Sequence, residues 1–153
     1  MTEDPKIRVR PVTPSDAVAW LSMRNALWPE EGEKSHHTEI ARFLAGELKG
    51  LLSVLVADDN GELLGFAELN IRPYAEGCTT DRVAFIEGWY VDPAARRAGV
   101  GAALVASAEA WARSQGCTEL GSDAEVDNLS SAAAHLALGF VEAGVVRCFK
   151  KSL

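Results

Sequence analysis

Cysteine is scarce in this sequence: Cys78, Cys117 and Cys148 are three, an odd number, far apart and without a Cys-x-x-Cys pair. Neither a disulfide framework nor a thiolate zinc site is suggested, and reduced thiols are expected. Basic residues are also in deficit, 15 Lys and Arg against 22 Asp and Glu, for a net charge of −7. Nucleic acid and anionic membranes are bound chiefly by clustered Lys and Arg, so neither is expected as a partner and a cationic one is favoured. No apolar run approaches the ~20 residues of a membrane span. The opening Met1-Thr2-Glu3-Asp4-Pro5-Lys6 lacks the basic-then-apolar layout of a signal peptide, so a cytoplasmic location is expected. His36-His37 has no third ligand at metal spacing; it is read as surface, and no metal is expected.

What is present suits one compact α/β domain over residues 1–153, with 48% hydrophobic residues to build its core. Alternation over Lys6 to Val12 predicts a strand. Thr13-Pro14-Ser15-Asp16 then opens a helix running to about Leu27. Pro29 to Glu33 reads as a polar loop before a helix over Thr38 to Leu48, and Leu51–Ala57 and Leu63–Ile71 form a hairpin turned at Asn60-Gly61. Val83–Val91 is the longest strand, Arg96 to Gln115 a helix, Glu119–Ser122 a short strand, Asn128 to Leu138 a helix, and Phe140 to Lys150 β-like. The order predicts a mixed, mostly antiparallel sheet of six or seven strands flanked by about four helices.

One junction carries chemistry. The strand ending at Val91 breaks at Asp92-Pro93 and restarts as a helix through Arg96-Arg97-Ala98-Gly99-Val100-Gly101. Glycine turns the backbone sharply, and the first turn of a helix points unpaired N–H groups outward with partial positive charge, which suits a pyrophosphate. A Walker loop would need Gly-Lys-Ser/Thr, but Gly101 precedes Ala102-Ala103. A dinucleotide turn would need a third glycine where Leu104 stands. The plainer alternative is that the glycines only relieve crowding at a strand-to-helix turn.

Glu87 lies within the apolar run Phe85-Ile86-Glu87-Gly88-Trp89 and, by alternation, shares a pleat face with Phe85 and Trp89. A carboxylate there needs an ion-pair partner, a proton, or a wet cleft that accepts a cation. In the last case it would receive hydrogen bonds from an ammonium substrate and help to remove the proton blocking its lone pair. Asp123 follows the short strand, where open sheets present side chains to a crevice, and is equally a loop acid. Asn128 fits either an ordinary helix cap or an amide that binds a ligand. His135 can be an acid or a packing residue. Trp28 beside Pro29, and Tyr74, can line a ligand site or fill core.

With Arg96 three residues ahead of Gly99, the junction resembles the coenzyme A pyrophosphate loop of GNAT-type N-acetyltransferases. Asn128 leading a helix into Leu138-Gly139-Phe140 is similar to that family's second motif, with His135 where a tyrosine usually protonates the departing thiolate. Five stretches further resemble the aminoglycoside 6'-N-acetyltransferases: Arg24 to Pro29; Ile71 to Tyr74 with Gly77-Cys78; Phe85 to Gly88; Ser122-Asp123; and His135 to Phe140. The resemblance implies a GNAT fold, acetyl-CoA as cosubstrate, a cationic aminoglycoside acceptor and a homodimer. It implies that Trp28, Tyr74, Glu87 and Asp123 line the acceptor site. It further implies that Trp89, Tyr90, Val91, Arg96, Arg97, Ala98, Gly99, Val100, Gly101 and Asn128 hold the coenzyme, and that Glu87, Asp123 and His135 handle protons. The amine is expected to attack the thioester directly, with no cysteine nucleophile. Gly144 stands where that subgroup can carry another acid, with Glu142 nearby. The alternatives are acetylation of a polyamine or peptide amine, and a non-catalytic acyl-CoA sensor.

Overall fold

A computed structural model describes residues 7–153. Lys6, the first residue of the strand expected from the pattern, lies outside them. Strand β1 (Arg8–Pro11) is followed by helices α1 (Ala17–Leu27) and α2 (Glu33–Leu44), strands β2 (Ser53–Asp59), β3 (Glu62–Arg72) and β4 (Val83–Val91), helix α3 (Val100–Ser114), strand β5 (Leu120–Ser122) and helix α4 (Leu129–Ala137). The sheet order is β1-β2-β3-β4-β5, antiparallel except for the β4–β5 pair. The mixed α/β class and the four helices agree with the expectation.

Local chemistry accounts for the element ends. Asp16 accepts hydrogen bonds from the Thr13 backbone and side chain and from Arg10, closing a 3-10 turn onto α1. Asn60 and Gly61 both take positive φ, 49° and 94°, as the β2–β3 turn requires. Helix α2 starts at Glu33 rather than Thr38, because Pro29–Glu31 forms a 3-10 turn and Gly32, at φ 79°, redirects the chain straight into the helix.

The sheet has a core on each face. On one, α3 packs Val100, Leu104, Val105 and Ala108 against Leu55, Ala57, Ala67, Leu69 and Ile86. On the other, Trp20, Met23 and Ile40 of α1 and α2 cover Leu51, Val54, Val56 and Phe66.

Three expectations are corrected. The described residues hold five strands rather than six or seven, because residues 141–153 join no strand and are all exposed. His36 is not on the surface: it is fully buried under Trp28, with Nε2 2.9 Å from the Trp28 carbonyl, while His37 is exposed. Glu87 and Trp89 do not share a face, for the reason given next.

Candidate active site

The site is organised by one irregularity in β4. Glu68 of β3 pairs with Gly88, and the next residue, Leu69, pairs with Ile86, so Glu87 is an extra residue with no partner on β3. A bulge resets the alternation of a strand. Ile86 therefore packs beside Trp89 on the α3 face, whereas Glu87 meets Asn70 on the face covered by α1 and α2.

On that second face lies a cleft of about 490 Å³, with Trp28, Glu31, Glu39, Glu68, Asn70, Arg72 and Glu87 in its lining. Glu87 is paired with Arg72, whose Nε and Nη2 donate to its two carboxylate oxygens at 2.8 and 2.6 Å, and accepts from the Asn70 amide at 3.2 Å. Of the three fates open to a carboxylate in this strand, the ion pair is the one realised. The Arg72 guanidinium also lies 3.6 Å from the Phe85 ring centroid, and the charge of Asp123 reaches it. Deeper in, Glu68 accepts from Trp20 Nε1 at 3.0 Å and sits 3.4 Å from Arg24 Nε. Burial outweighs both contacts and raises its carboxyl to about 7. Arg24 also pairs with Glu39 and stacks 5.2 Å from the centre of the Trp28 ring. Gly88 makes room for that ring: a Cβ there would stand 2.5 Å from Trp28 Cη2.

The α3 face holds the second half. Gly99 takes φ 82° as the N-cap of α3, and no side chain caps the helix, so its first N–H groups face outward beside exposed Arg96, Arg97 and Ala98. Gly101 keeps the helix close to Trp89, since a Cβ would stand 3.1 Å from its Cζ2, a tight contact. The β4–β5 ladder stops at Ile86–Ser122 while β4 runs on to Val91, which opens a wedge along Trp89, Tyr90 and Val91. An uncapped helix start at the mouth of a wedge with free strand edge fits a diphosphate followed by an amide-bearing arm.

His135 lies beside this wedge, its ring 5.1 Å from both Trp89 and Phe140. Its Nδ1 is 2.7 Å from the Ser131 carbonyl, which can only accept, so Nδ1 carries the proton and Nε2 accepts from Ser122 Oγ at 2.7 Å. Asn128 caps α4, its Oδ1 accepting from Ser131 N at 3.1 Å.

The fold thus brings Trp28 and Glu87 together in the cleft, with Asp123 near its Arg72 edge. Tyr74 is 63% exposed and does not line the cleft. Glu142 lies on the exposed segment after α4. The sequence reading missed Glu68, Asn70 and Arg72, although polar residues at every second position in a strand are a legible signal of one polar face. It also missed the partnership of Ser122 with His135.

Residues 20–140 match the acetyltransferase (GNAT) family. The chain is 56% identical over 146 residues to the aminoglycoside N(6')-acetyltransferase type 1 of Klebsiella aerogenes, covering 95% of this chain and 96% of that protein. Among solved structures it is similar to AAC(6')-Iy in complex with the bisubstrate analogue CoA-S-monomethyl-acetylneamine, with a TM-score of 0.88, 31% identity and coverage of 96% and 99%. It is also similar to the apo 6'-N-acetyltransferase AAC(6')-IG of Acinetobacter haemolyticus, with a TM-score of 0.87, 39% identity and coverage of 95% and 99%.

Proposed function

This chain belongs to the acetyltransferase (GNAT) family, and from that premise we propose that it transfers the acetyl group of acetyl-CoA to the 6'-amine of aminoglycoside antibiotics, giving resistance. The observation that carries the reading is the pair of sites on opposite faces of the Glu87 bulge: an uncapped helix start with an open strand edge on one, and on the other a cleft in which Glu31, Glu39, Glu68 and Glu87 stand with Arg24, Lys49 and Arg72 beside Trp28.

Acetyl-CoA supplies the activated acyl group as cosubstrate. Main-chain N–H groups from Gly99 to Gly101 and the Arg96 and Arg97 side chains would hold its diphosphate, and Trp89 to Val91 would take its arm. Backbone donors along that edge would polarise the carbonyl, a term often worth ~3 kcal/mol per donor. Asn128 spends its carbonyl oxygen on the helix cap and keeps its amide N–H groups for the coenzyme.

On the acceptor side Trp28 covers a sugar face, and Glu87 and Asp123 receive hydrogen bonds from ammonium groups. Because Arg72 offsets the charge of Glu87 and Arg24 that of Glu39, the attraction for a polycation falls to Glu31 in the cleft and to Asp123 near its Arg72 edge. The amine loses its proton to solvent through a carboxylate-bound water and then attacks directly. The departing thiolate takes up, through water, the proton that the attacking nitrogen sheds as the amide forms, with His135 and the Ser122 hydroxyl it orients beside that path.

A single domain, a homodimer and a cytoplasmic location complete the reading. Support for the dimer comes from the unpaired residues 141–153, which expose Val141, Val145, Val146, Phe149 and Leu153. Among the described residues no helix is long and apolar enough to cross a membrane, and all three cysteines are free thiols.

Thiol release from acetyl-CoA is the test, with kanamycin or tobramycin compared with spermidine and with no acceptor. Release with the antibiotics is expected. Release with spermidine alone would make the acceptor another amine, and binding of acetyl-CoA without release would make the protein a sensor.

A further inference from the structure

At the outer wall of the cleft, Glu31, His36 and Glu39 each turn a potential ligand atom inward, and the three atoms lie within 4.8 Å of one another. We propose that they form a binding site for a divalent transition cation of the zinc type. The site stands on its own geometry and does not depend on the reaction assigned above.

His36 carries the argument. Its ring is fully buried, and its Nε2 must donate to the Trp28 carbonyl at 2.9 Å, because a carbonyl only accepts. In the neutral ring that bond fixes the tautomer and puts the lone pair on Nδ1. Nδ1 is buried and has no hydrogen-bond partner, and it faces Glu31 Oε2 at 3.9 Å, an atom that likewise offers only lone pairs. A buried acceptor aimed at carboxylates is costly unless a positive species sits between them. Arg24 does not fill that place, since it bonds Glu39 Oε2 and not His36, and the Glu31 carboxylate makes no hydrogen bond among the described residues, its backbone N–H alone donating to the Trp28 carbonyl. Lys34 and Arg42 share the outer depression with Glu31 and Glu39 but form no ion pair with either.

One imidazole nitrogen and two carboxylates suit zinc, cobalt or nickel better than magnesium or calcium, which favour all-oxygen shells. A metal-bound histidine that donates its other N–H to a backbone carbonyl is the common orientation, and here that bond exists without the metal. His36 is fixed by packing, whereas the Glu31 and Glu39 side chains are 47% and 40% exposed. The Glu31 carboxylate is therefore free to swing in to coordination distance around a stationary imidazole, while Glu39, held by Arg24 through Oε2, has Oε1 left to offer, with water in the fourth position. Bound there, the cation would tie the Pro29–Glu31 turn to α2 and hold Trp28, through its carbonyl, against Gly88.

The test uses the full-length, untagged protein. Zn²⁺ is titrated in competition with a chromophoric chelator, and Co²⁺ is added separately as an optical probe. One equivalent should bind, with the ligand-field bands of nitrogen and oxygen ligation and no sulfur-to-metal charge transfer. Glu31→Gln should weaken binding at least ~10-fold, and Glu31→Gln with Glu39→Gln at least ~100-fold. Both positions are partly exposed, so circular dichroism should show an unchanged fold. His36→Gln should abolish binding; if that variant does not fold, the glutamine variants decide. Absence of a bound equivalent, unchanged affinity in the double variant, or a thiolate charge-transfer band implicating Cys78 or Cys148 would overturn the proposal.

Discussion

Arg72 grips Glu87 through two parallel hydrogen bonds across the β3–β4 bulge, and the pair lines the cleft above the buried Glu68. With one charge already balanced, the carboxylate still has lone pairs for an ammonium donor, and a charge-assisted bond of that kind is worth about 1.5–3 kcal/mol. Glu87→Gln and Asp123→Asn should each raise the aminoglycoside KM roughly 10-fold or more while leaving the acetyl-CoA KM unchanged. Steady-state kinetics with each substrate varied in turn decides this. If neither KM nor turnover moves, these residues are not the acceptor site.

Two glycines should separate the halves of the site. Gly88→Ala drives a methyl group into Trp28, and Gly101→Ala drives one into Trp89. The first should damage aminoglycoside binding and spare acetyl-CoA; the second should do the reverse. A shift of about 1–2 kcal/mol, roughly 5- to 30-fold in Kd, is expected from overpacking of this size. Calorimetry with each ligand reads both, and identical profiles for the two variants would contradict a divided site.

Glu68 gives the fold a pH signature. Its carboxyl is raised by burial to about 7 from an ordinary value near 4.5, so between those values the native state binds more protons than the unfolded chain. Its contribution therefore favours the fold most at the acid end of that window and is lost as pH rises toward 7. The full effect is on the order of 3 kcal/mol. Glu68→Gln should flatten the fall in stability between pH 5 and pH 8, as measured by denaturant unfolding. A variant that keeps the wild-type slope would show that Arg24 holds Glu68 ionised throughout.

Asp16 works in the opposite sense. Its hydrogen bonds from Arg10 lower its carboxyl to about 2 from the ordinary 3.8, so the stability it lends is complete above that ordinary value and disappears as pH falls through 2. Asp16→Ala should cost about 1–2 kcal/mol at pH 7, through the lost cap and ion pair, and much less near pH 2. Thermal unfolding at the two pH values checks the sign.

The segment after α4 should carry the assembly. Val145→Asp with Phe149→Asp replaces two of its exposed apolar side chains by charge. Light scattering should report a dimer for the parent and half that mass for the variant. A parent already monomeric at micromolar concentration would remove the dimer from the account.

Much of the architecture was legible residue by residue. The Val83–Val91 strand was read with its observed ends, and the Asn60-Gly61 turn and the glycine junction before α3 were also found, because the signals involved are short-range: alternation, positive φ and helix capping. The acidic balance and the glycine spacing already pointed to a cationic acceptor and an anionic coenzyme. Where the reading failed, the cause lay outside the local chain. Simple alternation gave Glu87 the face of Trp89, but the extra residue opposite β3 reversed it. A polar His36 looked like surface until Trp28 and α2 enclosed it. The apolar pattern after Phe140 is that of a strand, and no edge of the same chain takes it up.

By itself, then, the sequence determined the elements, the coenzyme junction and the sign of the substrate charge, since each depends on residues within a few positions of one another. Only the tertiary structure decided that Arg72 neutralises Glu87, that Glu31, His36 and Glu39 converge, and that two binding faces diverge from one bulge. The first and last join different strands, and the second, though close in the chain, joins a turn to a helix; strand register and burial, which no local pattern encodes, set the distances between them.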